Sequence, residues 1–337
     1  MCERIGDNDG WYNAVKLLRH WDKSILKFVI GGRGMGKTDF WLQVAISLYT
    51  EYGCQTVWIR NKKVELSEDG NYTAFLNDAK HFGWCPEDWD ARPDGVYTST
   101  DKDADQIIKF ASISTFSNKR GGGHPRVMLM VFDEMIPEDR RYPKMCAQGL
   151  LSLANSMTRG RCKIIVCSNF VSAGNPYFAL FEIYNNPKYD VTLYNDKSIC
   201  IELAKGYRKA IKEESDFSRL MRAGKMPQYE DENSDPLIGL VAPIPKGSRP
   251  APFLYLIDGK YYREWEKNGM RYYDLWSSDV PNNIVVYTPN VNECTDGVLI
   301  LPTFLIKHMS DTMQANLMRF KNPNVMFKIL NVIYNAV

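Results

Sequence analysis

The sequence predicts an α/β fold built around a phosphate-binding loop, followed by a linker and a smaller α+β domain. Three observations predict it. Gly31-Gly32-Arg33-Gly34-Met35-Gly36-Lys37-Thr38 fits the pattern G-x-x-x-x-G-K-[ST] at every fixed position. The wholly apolar run Val127-Met128-Leu129-Met130-Val131-Phe132 ends in Asp133-Glu134. From Pro236 onward, short β-type runs are separated by Asp258-Gly259 and Asn268-Gly269, the residue pairs of tight hairpins.

The chain follows this plan in order. Residues 1–10 are polar and expected to fray. Apolar residues at Trp11, Val15, Leu17, Leu18 and Trp21 predict a short helix. A strand over Ile25–Ile30 enters the glycine-rich loop and a helix over Phe40–Tyr49 leaves it. That context suits phosphate binding. Glycines let backbone N–H groups curl round an anion, and the helix N-terminus adds partial positive charge. Lys37 is expected to reach the β- and γ-phosphates and the Thr38 hydroxyl to bind Mg²⁺.

Gln55–Arg60 reads as the next strand. Residues 61–94 read as a helical or irregular excursion, and short strands follow at Gly95–Thr98 and Ile108–Ile113. Ser117 to Arg126 holds three glycines among basic residues. It suits a solvated hairpin loop and a phosphate-touching loop equally well. An apolar run such as Val127–Phe132, buried on both faces, implies a parallel sheet, and ligands sit at the carboxyl edge of such sheets. There Asp133 is expected to hold the Mg²⁺ hydration shell and Glu134 to polarise an attacking water. Glu138 and Asp139 read as solvated charges.

A helix over Met145–Met157 ends in Thr158-Arg159-Gly160-Arg161, either a solvated turn or the seat of an arginine finger. The strand Cys162–Cys167 then delivers Ser168-Asn169 to the edge that carries Asp133, where Asn169 is placed to sense a γ-phosphate. Strand-like residues 189–203 close a nucleoside-triphosphatase domain over 1–203. A charged helical stretch and an acidic loop make a linker over 204–235. The last domain, 236–337, holds a three-stranded meander and closing helices at Pro302–Met313 and Asn324–Tyr334.

Composition narrows the function classes. The 337 residues carry a net charge of +2 and 45% are hydrophobic, so global charge does not mark a nucleic-acid binder. Eight cysteines form no C-x-x-C pair and there are four histidines, which disfavours a zinc site and suits reduced thiols. No signal peptide and no apolar run of membrane-spanning length occurs, so a soluble, intracellular protein is expected. Three strands followed by helices also suit a ribonuclease H-like domain, but Asp258, Asp274, Asp279 and Asp296 show no metal-ligand spacing.

Four segments together resemble one family. Phe28 to Thr38, Val131-Phe132-Asp133-Glu134-Met135, Cys167-Ser168-Asn169 and Asn175-Pro176-Tyr177-Phe178 are similar to the DNA-packaging ATPases of small tailed phages of the phi29 type. The resemblance implies an additional-strand, translocase-like P-loop ATPase domain, a helical linker, and a C-terminal domain like ribonuclease H without nuclease residues. It implies ATP and Mg²⁺ as cofactors. It implies a homopentameric ring on the portal of an empty procapsid that drives double-stranded DNA inward, with a packaging RNA in some members. Such a subunit works in the host cytoplasm, transiently attached to the procapsid, and is absent from the mature virion.

By matching motifs, Gly31 to Thr38 form the nucleotide cradle, Thr38 and Asp133 hold the metal, and Lys37, Glu134, Asn169 and Arg159 are catalytic, Arg159 as a finger given in trans. Arg161 competes with Arg159 for that role. Lys63 and Arg120 match basic positions suited to a neighbour's nucleotide. Two alternatives remain open at this stage: a nucleotide-gated assembly protein with poor turnover, and a packaging motor with nuclease activity.

Overall fold

The structure is a computed structural model that describes residues 10–66, 72–115, 124–137, 142–143, 145–169, 173–184, 186, 188–207 and 239–336. The chain divides into two compact units, residues 1–171 with 185–234 and residues 172–184 with 235–337.

The first unit is a nine-stranded sheet in the order β3-β4-β5-β2-β6-β7-β1-β9-β8. Its strands are β1 (Leu26–Ile30), β2 (Gln55–Arg60), β3 (Asp90–Arg92), β4 (Gly95–Tyr97), β5 (Gln106–Ser112), β6 (Val127–Phe132), β7 (Lys163–Ser168), β8 (Val191–Tyr194) and β9 (Ile199–Leu203). The run from β5 to β9 is parallel throughout, and antiparallel pairs close both edges. Burial on both faces explains the apolar runs: all five residues of β1 are buried, as are five of the six in β6. The strand β7 lies between β1 and β6, so the loop after β1 and the carboxylates after β6 share an edge with Ser168-Asn169.

Helix α2 (Lys37–Tyr52) starts inside the glycine-rich motif and buries Phe40, Trp41, Val44 and Ala45 in a core that includes Val29, Trp58 and Phe110. The other helices among the described residues of this unit are α1 (Val15–Leu18), α3 (Tyr72–His81) and α4 (Cys146–Thr158). The helix expected from Trp11 to Trp21 shrinks to the single turn of α1. Tyr12 instead gives its N–H to the Met35 carbonyl at 3.1 Å, and Ala14 is left-handed at φ 52°. Lys27, the second residue of β1, is fully buried. It donates to the carbonyls of Trp21 and Ser24 and lies 4.7 Å from the Trp21 ring centroid.

The second unit has its own sheet, in the order β15-β14-β11-β12-β13-β16, with β10 pairing β12. Its strands are β10 (Arg249–Pro250), β11 (Phe253–Ile257), β12 (Lys260–Lys267), β13 (Met270–Leu275), β14 (Val285–Thr288), β15 (Val298–Ile300) and β16 (Met318–Phe320). The meander β11–β13 is antiparallel, whereas β14, β15 and β16 join in parallel. Asp258-Gly259 and Asn268-Gly269 make its two turns with all four residues at positive φ, between 50° and 78°. The closing helices are α6 (Thr303–Gln314) and α7 (Pro323–Ala336). Met309, Met326, Phe327 and Leu330 from these helices share a core with Tyr255, Tyr262, Tyr273 and Phe320 of the sheet. Glu264 is buried on that inner face. Its carboxylate accepts from the hydroxyls of Tyr273 (2.7 Å) and Tyr255 (3.3 Å) and from Arg271 (2.9 Å).

One boundary differs from the expectation of a first domain continuous over 1–203. The segment 172–184, with helix α5 (Pro176–Phe181), belongs to the second unit. Asn331 of α7 donates to the Ala179 carbonyl at 3.0 Å, the Tyr334 hydroxyl to the Gly174 carbonyl at 2.6 Å, and Lys328 pairs with Glu182 at 2.7 Å. The physical cause is a partner helix some 150 residues further along the chain. The helical linker expected over 204–235 lies outside the described residues from 208 onward. The described cysteines are all free. No helix among the described residues is long and apolar enough to cross a membrane.

Candidate nucleotide site

A glycine-rich turn can close over a phosphate only if its backbone bends sharply and lies close to its neighbours. Gly36 is left-handed at φ 82°, where side chains are rarely tolerated. A Cβ on Gly31 would come within 2.8 Å of the Ala204 Cβ, so the strand end after β1 packs too tightly for any other residue. The Gly31 N–H is held by the Ser168 carbonyl at 3.2 Å. This ties the loop after β1 to the end of β7.

Lys37 is 7% exposed, and its ammonium donates to the carbonyls of Gly31 (2.9 Å) and Gly32 (2.7 Å). The charge is therefore folded into the loop that would cradle a phosphate. Thr38 follows in the first turn of α2, and its hydroxyl is 3.2 Å from each carboxylate oxygen of Asp133. Asp133 is 3% exposed, and its N–H is held by the Ile59 carbonyl of β2 at 3.0 Å. Burial pushes its carboxyl above the usual range, against the opposing pull of Arg60.

These donors suit Mg²⁺. A hydroxyl and a carboxylate within one coordination shell of each other are hard oxygen ligands, and Mg²⁺ takes few protein ligands beside phosphates and water. A buried carboxylate pushed towards its neutral form is one that a cation would favour. Among the described residues, no group of three or more His, Cys, Asp and Glu side chains is placed to hold a metal instead.

A single pocket is lined by Arg33 through Asp39 together with Asp133, Glu134, Ser168 and Asn169. Residues from three sequence-distant segments thus meet at the carboxyl edge of the first sheet. Glu134 sits left-handed at φ 56°, and its side chain is 56% exposed on the pocket wall. Its carboxylate is held by Arg60, the last residue of β2. The guanidinium donates through Nη1 to Glu134 Oε2 and through Nη2 to Asp133 Oδ2 at 3.0 Å. Burial opposes the charge of Arg60, yet Asp133 and Glu134 raise its pKa above the usual range.

Arg60 is the site residue that sequence reasoning passed over, as one more strand residue. Its signal was position: a charged side chain ending an apolar strand at the ligand edge of a parallel sheet. Arg159 is not brought to this pocket. It is the left-handed C-cap of α4 (φ 53°), exposed like Arg161, and both precede β7. Asn169 follows β7, so six strand residues separate these arginines from the pocket edge, a rise of about 20 Å. Lys63 is exposed in the 3₁₀ turn Lys63–Leu66 and does not line the pocket. Arg120, Glu138 and Asp139 lie outside the described residues.

Comparison with known proteins identifies the family. The profile of the podovirus DNA encapsidation protein (Gp16) family matches residues 6–261. The DNA packaging protein of Bacillus phage phi29 is 26% identical over 329 residues, covering 94% of this chain and 95% of its own length. The fold is shared with the Phi-28 gp11 DNA packaging motor, at a TM-score of 0.73 and 19% identity over 98% of each chain. It is also shared with the bacteriophage Phi-29 viral genome packaging motor assembly, at 0.59 and 23% identity over 96% of this chain and 99% of that one. The profile takes in the glycine-rich loop, the carboxylates after β6 and Ser168-Asn169, and it spans well over half of the 337 residues. The chain belongs to the podovirus DNA encapsidation protein (Gp16) family.

Proposed function

We propose that this chain is the ATPase subunit of a motor that moves double-stranded viral DNA into a preformed procapsid. The observation that carries this is the meeting of Lys37, Thr38, Asp133 and Glu134 at one edge of one sheet. Family membership and the names of its relatives, a DNA packaging protein and a genome packaging motor assembly, support DNA as the cargo and work within an assembly. The assembly is a homopentameric ring docked on the portal, with a packaging RNA as a further candidate partner. The subunit acts in the host cytoplasm while attached to the procapsid and leaves before the virion matures.

In this scheme Gly31 to Lys37 hold the triphosphate, and Lys37 trades its loop carbonyls for phosphate oxygens. Thr38 and Asp133 would hold Mg²⁺, which neutralises phosphate charge when bound. Glu134 accepts the proton of the attacking water. To do so its carboxylate must part from Arg60. Asn169 senses the γ-phosphate from the end of β7. Arg159 lies at the far edge of the sheet from its own pocket, which supports a role towards a neighbouring subunit, with Arg161 beside it as the competitor.

The second unit acts as a ribonuclease H-like scaffold without nuclease activity. The order β13-β12-β11-β14-β15, an antiparallel meander joined by two parallel strands, supports the fold. The most buried carboxylate among its described residues, Glu264, is taken up by Tyr255, Tyr273 and Arg271.

Phosphate release by the purified protein, with and without double-stranded DNA, tests the proposal. DNA is expected to raise the rate. Nucleotide binding without turnover, with and without DNA, would favour the nucleotide-gated assembly protein instead.

A further inference from the structure

A left-handed backbone at a glutamate is strained and persists only where its surroundings hold it. At Glu134 the holding atoms are identifiable. The peptide that leaves Glu134 is pinned at both ends: its N–H, on Met135, donates to the Cys167 carbonyl of β7 at 3.1 Å, and its C=O accepts from Asn61 Nδ2 at 2.7 Å. Asn61 Nδ2 also donates to the next carbonyl, of Met135, at 3.1 Å. Asn61 is fully buried at the end of β2, and its own carbonyl takes the Ser114 N–H at 3.0 Å, which fixes it from the end of β5. Its amide oxygen finds no hydrogen-bond partner among the described residues. Among the described residues, the contacts of the Asn61 side chain are therefore made by its donor end.

We infer that Asn61 is a positioning residue for hydrolysis: its side-chain amide locks the peptide after Glu134 and so aims the Glu134 carboxylate at the pocket. This rests on Glu134 being the group that activates water, as proposed above. Asn61 and Arg60 act on different parts of Glu134. Arg60 holds the Glu134 carboxylate, and Asn61 holds the backbone from which that carboxylate swings. Asn61 does not line the pocket, so its loss leaves the phosphate cradle in place.

The test is a double-mutant cycle on the full chain, read as kcat, KM for MgATP and thermal midpoint. Asn61→Ala is expected to lower kcat by about tenfold to a hundredfold, the scale of a misaimed catalytic group, with KM within about twofold of wild type. Introduced into Glu134→Ala, the same change is expected to lower the residual rate no further, because its effect passes through Glu134. Should alanine not fold, Asn61→Ser keeps a short donor in a small volume and is expected to fall between wild type and Glu134→Ala. Wild-type kcat in Asn61→Ala overturns the inference. So does an equal loss in both backgrounds, or a loss carried entirely by KM, since each marks a merely structural role. If Glu134→Ala itself turns over at the wild-type rate, the assignment of Glu134 fails first and the inference falls with it.

Discussion

Replacing Arg60 by alanine separates two effects that the structure joins in one side chain. The guanidinium bridges Glu134 and Asp133, and it is 20% exposed while the Glu134 side chain is 56% exposed. Hydrogen bonds to charged groups contribute about 1.5–3 kcal/mol, and the exposure of Glu134 puts this one near the lower end. Removing about 1.5 kcal/mol of restraint raises the fraction of freed Glu134 roughly tenfold. Basal phosphate release at saturating MgATP is therefore expected to rise by about tenfold, and the further stimulation by DNA to shrink.

The second effect falls on Asp133. At 3.0 Å and an effective dielectric of about 20, the attraction of Arg60 has a ceiling of about 5.5 kcal/mol, which water entering the vacated space lowers. Burial already pushes the Asp133 carboxyl up, and losing Arg60 pushes it further. Its protonated fraction then grows as pH falls, so KM for MgATP is expected to rise on going from neutral to acidic pH more steeply in Arg60→Ala than in wild type. Steady-state phosphate release against MgATP concentration at neutral and acidic pH separates kcat from KM. A basal kcat that stays level or drops while DNA stimulation persists would refute the idea that Arg60 restrains Glu134.

Other outcomes follow from the same geometry. Burial pushes Glu202, beside the phosphate-loop strand, up to about 7, and Tyr12 donates to it at 2.8 Å. A carboxyl raised on folding stabilises below its unfolded value, and that stability is lost as pH rises to about 7. Glu202→Gln should therefore gain on the order of 3 kcal/mol relative to wild type between pH 5 and pH 8 in urea unfolding. The Glu202 oxygen that has no partner among the described residues faces the same surroundings as an amide in the variant, a term that cancels from this pH difference; a constant difference between the two proteins would contradict the assignment. Glu264→Ala strands Tyr255, Tyr273 and Arg271 and is expected to cost about 3 kcal/mol, read as a lowered denaturation midpoint for the second unit. Mixtures of inactive Arg159→Ala and inactive Glu134→Gln subunits should recover ATPase activity if the finger is given in trans, and mixtures with Arg161→Ala decide between the two arginines. No recovery at any ratio, for either arginine, counts against a finger on this segment.

What could be read from the chain was local. Gln55–Arg60 and Val127–Phe132 are strands over the predicted residues, because an apolar run bounded by polar residues has few other ways to be buried. The two meander turns are where Asp258-Gly259 and Asn268-Gly269 stand, because few other residue pairs accept positive φ twice in succession. The pocket residues were legible because the motif carries its chemistry in residue order. What failed to show was set at a distance. The membership of α5 in the second unit depends on Asn331, Tyr334 and Lys328. The single turn of α1 reflects Tyr12 being taken by the loop carbonyl of Met35. Arg60 became a site residue only once β2 was seen beside β6, a neighbour relation that strand order decides and local pattern does not.

The central claim is that Lys37, Thr38, Asp133 and Glu134 act on one triphosphate and that Glu134 activates the water. Single-turnover hydrolysis by Glu134→Gln, with MgATP binding measured on the same protein, tests it most directly. The account predicts binding close to wild type with hydrolysis slowed by about a hundredfold or more. Hydrolysis at the wild-type rate in that variant would contradict it.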